Sequence, residues 1–146
     1  MKEESIHFFQ EDIIYQLRQR TEIRSWLKSI AKKEKYSILE LNYIFCSDEY
    51  LLQINKNFLD HDYYTDIITF DNSEVKGKIE GDVFVSIDRV TENAKKYKVG
   101  FENELHRVMI HGILHTCGYK DKTKTDSELM RKKEAWALNL LQKEIN

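Results

Sequence analysis

Proline is absent from this chain of 146 residues, and glycine occurs only five times. Turns must therefore be made by Gly, Asn, Asp and Ser. Cysteine is nearly absent as well: Cys46 and Cys117 are the only two. A disulfide scaffold is excluded on that count, and each thiol reads as a reduced, buried small hydrophobe in a cytoplasmic protein. No apolar run approaches the roughly 18 residues that cross a bilayer, so no membrane span is expected. The first five residues, Met1-Lys2-Glu3-Glu4-Ser5, lack the hydrophobic core of an export signal. Charge of one sign is lacking too. With a formal net charge of −2 the whole molecule does not attract polyanions, so contact with nucleic acid has to come from local patches. Lys120, Lys122 and Lys124 form one such patch.

Hydrophobic residues make up 41% and charged residues 33%, which describes a soluble globular chain, read here as a single domain over 1–146. Strands are expected over 5–9, 37–46, 66–70 and 82–87. The second alternates Leu39, Leu41, Tyr43 and Phe45 on one face. Helices are expected over 22–34 with Thr21 as cap, from 49 to about 58 behind Asp48, and from Asp88 through Tyr97. A last one opens at Asp126 and is built on Leu129, Met130, Ala135, Trp136, Leu138 and Leu141. Three or four strands with helices before, between and after make an α+β fold with a small mixed sheet.

Between these lies the most informative segment, His111-Gly112-Ile113-Leu114-His115-Thr116-Cys117-Gly118-Tyr119-Lys120-Asp121. Residues i and i+4 of a helix share a face, so His111 and His115 can point at one ion. Gly118 can adopt the left-handed conformation that ends a helix, returning the chain so that Asp121 becomes a third ligand. Two imidazoles and a carboxylate suit one Zn²⁺ and leave a fourth position for water. Metallopeptidases with this ligand spacing carry a glutamate after the first histidine as general base; here that residue is Gly112, which argues against proteolysis. Leu105, Val108, Met109, Ile110, Ile113 and Leu114 make the helix apolar nearly all round, as expected of a buried one. Cys117 follows His115 too closely to be a natural further ligand.

These residues resemble the YbeY-type endoribonucleases, metal-dependent hydrolases of ribosomal RNA maturation. The likeness runs from about 42 to 134, most of the chain. It is most specific in His111-Gly112-x-Leu114-His115-x-x-Gly118-Tyr119. Asn55, Asp62, Thr65, Asp66 and Phe70 match a second family stretch, Gly81-Asp82 a third, and Met130 with Glu134 a weaker fourth. The resemblance implies a zincin-like α+β fold around a buried metal-bearing helix. It also implies zinc-dependent, single-strand-specific cleavage of RNA in maturation of the 16S 3′ end, a role in ribosome quality control, and association with the small ribosomal subunit and its factors. No DNA partner is expected. The chain departs from the family pattern in three places: Asp121 stands where the family has histidine, Leu59 where it has arginine, and Tyr64 where it has proline. Arg89 and Arg107 are the possible substitutes for that arginine.

The expected chemistry is therefore zinc-assisted phosphodiester hydrolysis with a zinc-bound water as nucleophile, the ion on His111, His115 and Asp121. Lys120, Lys122, Lys124 and Arg107 are the candidate substrate-binding residues. The general acid is unassigned among Asp62, Asp66, His61 and His106; for the two histidines an exposed polar role is the plainer reading. Asp66 and Thr65 read as residues that shape the cleft, and Asn55 as an internal hydrogen-bonder. Two rivals stand beside this reading: a metallopeptidase or amidohydrolase on the same triad, and a ribosome-binding assembly factor whose zinc is structural.

Overall fold

Alternation along the second strand segment turns Leu41, Tyr43 and Phe45 to one side, all at most 1% exposed, and this segment is the centre of the sheet. The computed structural model describes residues 5–145 and contains four strands: β1 (Ile6–Gln10), β2 (Ser37–Cys46), β3 (Ile67–Asp71) and β4 (Lys78–Ser86). Their order is β1-β2-β4-β3. The β1–β2 and β2–β4 pairs are parallel, and β3 runs antiparallel to β4, so the sheet is mixed as expected. Leu39 does not share the buried face of its strand. The register shifts between Ile38 and Glu40, a bulge that leaves Leu39 half exposed.

Five helices complete the α+β architecture: α1 (Arg20–Lys33), α2 (Asp48–Leu59), α3 (Ile87–Tyr97), α4 (Phe101–Thr116) and α5 (Lys124–Ile145). Among these residues no helix is long and apolar enough to cross a membrane. The expected caps are displaced by one or more residues. Ser47, not Asp48, accepts the Tyr50 amide; Ser86, not Asp88, accepts that of Arg89; Thr123 accepts that of Asp126. α1 starts one residue before Thr21, after Gln19 in the left-handed conformation and with no side-chain cap. In each serine-capped case the neighbouring aspartate is instead the first acidic residue inside the helix, where the positive end of the dipole favours it. On α5 the buried face is Met130, Glu134, Ala137 and Leu141, while Leu129 and Ala135 face out. Phe58 of α2 is likewise 70% exposed.

One hydrophobic cluster joins the inner face of the sheet to α1, α4 and α5. Polar anchors cross it: Tyr43 Oη donates to the carbonyl of Met109 at 2.8 Å, and Trp26 Nε1 to that of Ala137 at 2.7 Å. α4 lies tight against the sheet at Gly112, where an added Cβ would meet Ile67 Cδ1 and Val83 Cγ1 at 3.2 Å each. The residue after the first histidine is thus a close packing position against the sheet, where any side chain would push on Ile67 and Val83. At Gly81 a Cβ would stand 2.3 Å from the carbonyl oxygen of Phe70, so only glycine allows β3 to close on β4. The export-signal expectation concerned residues 1–5, of which 1–4 lie outside the described residues.

Candidate metal centre

α4 buries Leu105, Val108, Met109, Ile110, Ile113 and Leu114, each at most 1% exposed. His111 and His115 interrupt that surface one turn apart, their rings 4.4 Å between centroids and nearly perpendicular. The helix then ends in a Schellman motif. Tyr119 N–H donates to Leu114 O and Gly118 N–H to His115 O, with Gly118 at φ +100°. That left-handed step turns the chain back and delivers Asp121. Its Oδ2 lies 3.3 Å from His111 Nε2 and 3.5 Å from His115 Nε2.

These atoms form the one group among the described residues that could hold a metal ion, all within 4.8 Å of one another. Two ligands about 2.0–2.1 Å from a tetrahedral centre are about 3.4 Å apart, so the spacing fits a zinc-sized ion. The hydrogen bonds behind the rings fit it as well. His115 Nδ1 is 2.9 Å from the carbonyl of Tyr119, which can only accept, so that nitrogen carries a proton and Nε2 is the one turned to Asp121. His111 Nδ1 lies 2.6 Å from Glu134 Oε2, a carboxylate acceptor that fixes the same tautomer.

Glu134 is itself held. It is 4% exposed, and Arg107 Nη1 donates to its Oε1 at 3.2 Å. Arg107 also grips Glu104 through Nε and Nη2, each at 2.8 Å, and its Nη2 is 3.7 Å from Asp66. The bonds to Glu104 raise the guanidinium's pKa further above its ordinary value. Four carboxylate-facing contacts thus occupy the side chain that the sequence offered for substrate. Glu134 stood out in sequence only as part of a weak motif. The signal for its support was Glu104 and Arg107, an ion pair at i and i+3 beside the apolar run of α4.

A cleft of about 650 Å³ opens over the centre, with His111, His115, Asp121, Asp66, His61 and Tyr63 in its walls. Asn55, Leu59, Thr65 and Lys122 line it too. Lys122 is the cleft's lysine; Lys120 faces a separate hollow beside Tyr119, and Lys124 begins α5. Arg89 is drawn off to Asp48 at 2.8 Å and stacks over Tyr64. Asp66 is largely buried, and burial pushes its carboxyl up, opposed by Arg107. Asp62 is exposed and pairs with Lys56 at 3.4 Å. His106 corrects the expectation of an exposed side chain: it is 7% exposed, packed edge-on to Trp26, its pKa lowered by burial. Asn55 is the expected internal hydrogen-bonder, 2% exposed and donating to the carbonyl of Tyr63. Both thiols are free, and burial pushes each up to about 12, so neither is a thiolate at neutral pH.

A mixed sheet carrying a buried helix, two imidazoles and a returning carboxylate defines the class: the architecture of a metal-dependent hydrolase. The chain belongs to the YbeY endoribonuclease family, whose model, described as endoribonuclease YbeY, matches residues 5–142. It is 71% identical over 140 residues to the endoribonuclease YbeY of Cytophaga hutchinsonii, covering 96% of this chain and 98% of that one. Against the endoribonuclease YbeY of Flavobacterium psychrophilum the identity is 51% over 132 residues, 90% and 94% of the two chains. The fold resembles the solution structure of TM1509 from Thermotoga maritima, with a TM-score of 0.66 and 29% identity, covering 95% of this chain and 90% of that chain.

Proposed function

We propose that this protein is a zinc-dependent, single-strand-specific endoribonuclease that matures the 3′ end of 16S ribosomal RNA and serves ribosome quality control in the cytoplasm, in contact with the small subunit. One observation carries the reading: His111, His115 and Asp121 converge, both imidazoles turning Nε2 toward the carboxylate, in a chain of the YbeY family. One Zn²⁺ per chain would sit on these three groups, supplying when bound a Lewis acid toward phosphate and an acidified water. The chain's own residues do the rest. Glu134 and the Tyr119 carbonyl hold the ring protons on Nδ1, so neither ring has to turn or lose a proton to present Nε2. Asp66 is the candidate proton donor for the leaving oxygen, because burial favours its protonated form and it lines the same cleft. Lys122 is placed to meet a phosphate of the strand.

Elemental analysis beside a cleavage assay on single-stranded RNA tests this, with wild type and His115→Ala in parallel. About one zinc per chain is expected, with cleavage that His115→Ala abolishes. Absence of metal from both proteins would overturn the site assignment. Leu59 lines the cleft without a guanidinium to replace the one it lacks, which supports a second reading as an assembly factor that cuts nothing. Zinc without cleavage would establish that one.

A further inference from the structure

The charges in the cleft set a problem for an RNA-binding site. Three carboxylates line it, Asp66, Asp71 and Asp121, against the single ammonium of Lys122. A ribonucleotide strand is usually drawn in by neutralising its phosphates. One lysine supplies little of that contribution, so groups that bind without charge add to recognition here.

The cleft wall supplies such a group. His61 and Tyr63 stack on one another with centroids 5.1 Å apart and planes inclined by 22°, and Tyr63 Oη shares a 3.0 Å hydrogen bond with His61 Nδ1. Both rings are exposed, Tyr63 at 56%, although the loop beneath them is hydrogen-bonded to the end of α2. Asn55, 2% exposed, donates to the carbonyl of Tyr63, and its own carbonyl accepts the amide of His61 at 3.1 Å. A solvent-facing aromatic pair held from below by a buried amide is a preorganised flat surface. Unpaired bases bind such surfaces by stacking, whatever their sequence.

Building on the endoribonuclease reading, we propose that His61 and Tyr63 form a stacking platform for one unpaired nucleobase, and so hold the neighbouring phosphodiester over the metal centre. The platform also accounts for selectivity toward single strands, since a base inside a duplex has no free face to offer. The pair binds and positions substrate; no bond is made or broken on it.

The test compares wild type, Tyr63→Phe and Tyr63→Leu on single-stranded oligoribonucleotides, some carrying 2-aminopurine and some an abasic residue scanned along the strand. Stacking on one base is worth about a five- to hundredfold change in binding. Tyr63→Leu is therefore expected to raise KM by that factor and to change kcat less, while Tyr63→Phe, which keeps the ring and loses only the bond to His61, stays closer to wild type than Tyr63→Leu does. 2-Aminopurine emission should be quenched by wild type and Tyr63→Phe only. An abasic residue at the platform position should erase the difference between wild type and Tyr63→Leu, which a merely structural role of Tyr63 would not do. Equal KM for wild type and Tyr63→Leu, with no quenching, overturns the platform and leaves the nuclease standing. A wild-type protein that neither binds nor cuts any single strand overturns both.

Discussion

His111 and His115 belong to the same helix and face the same point, yet the two are held by different kinds of structure. Behind His111 stands a buried carboxylate on α5, itself locked by Arg107 and Glu104, and the imidazole is 15% exposed. Behind His115 stands a single backbone carbonyl in a turn, and the ring is 33% exposed. Asp121 completes the turn side at 42% exposure. The first region borders the core, built from two buried carboxylates and a guanidinium that is only 24% exposed. The second is a local fold of a few residues closed by backbone hydrogen bonds. A residue of the first kind cannot be changed without paying in stability, whereas one of the second can be changed for its chemistry alone.

Glu134→Ala should give the largest effect. It strips His111 Nδ1 and Arg107 Nη1 of their acceptor in a site where both partners are mostly buried. Breaking a buried pair costs about 3–5 kcal/mol; Glu104 still holds the guanidinium, so the lower end is expected. Metal affinity should fall about 10- to 100-fold as well, since His111 loses its orientation. Denaturant unfolding of the metal-free protein and a competitive metal titration measure the two losses separately. A variant as stable as wild type would show that the buried cage is ornamental, and the contrast between the regions would disappear.

Gly118→Ala comes next. At φ +100° a side chain is strained whatever the space around it, and the cost should be about 1–2 kcal/mol. The same step carries the Tyr119 carbonyl that holds His115, so metal affinity should fall with stability. Unfolding curves that coincide with wild type would mean the turn tolerates a second conformation.

How much of this could be read from the chain divides along the same line. The turn side is local: His111, His115, Gly118 and Asp121 lie within eleven residues, and helix geometry plus one glycine suffices to bring them together. The core side joins residues 23 and 27 positions apart, Glu134 to His111 and to Arg107, and no local period reports such a pairing. The fold class was legible from period-2 strands and apolar helix faces. What escaped was decided by neighbours. Leu39 faces out because of a bulge, and His106 is buried because Trp26 of α1 packs over it. Serine capped where aspartate was expected, since Ser47 stands one residue and Ser86 two residues earlier, and aspartate is equally welcome inside the first turn.

Asp121→Asn sharpens the comparison from the other side. Its carboxylate is 42% exposed and His111, which it faces at 3.3 Å, keeps its buried partner Glu134, so unfolding of the metal-free protein should stay within about 0.5 kcal/mol of wild type. Zinc occupancy should nonetheless drop, because a neutral amide replaces the one anionic ligand. A loss of stability comparable to that of Glu134→Ala would show that the turn side is also part of the core.

The smallest effect concerns the third histidine of α4, which shares the helix but not the site. Burial holds His106 neutral in the folded chain, with its pKa below 6.5, opposed only by Glu102. As pH falls through 6.5 the unfolded chain takes up a proton there and the folded chain does not, so the unfolded state binds more protons and stability declines toward acid. Above that window the contribution of His106 is constant. One proton limits the slope to about 1.4 kcal/mol per pH unit. His106→Phe keeps a ring against Trp26 and removes the proton site, so its unfolding free energy should fall less steeply than wild type between pH 6.5 and 5. Parallel slopes would mean that His106 gains its proton in the folded state too, and that the face of α4 turned from the cleft is wetter than its packing implies.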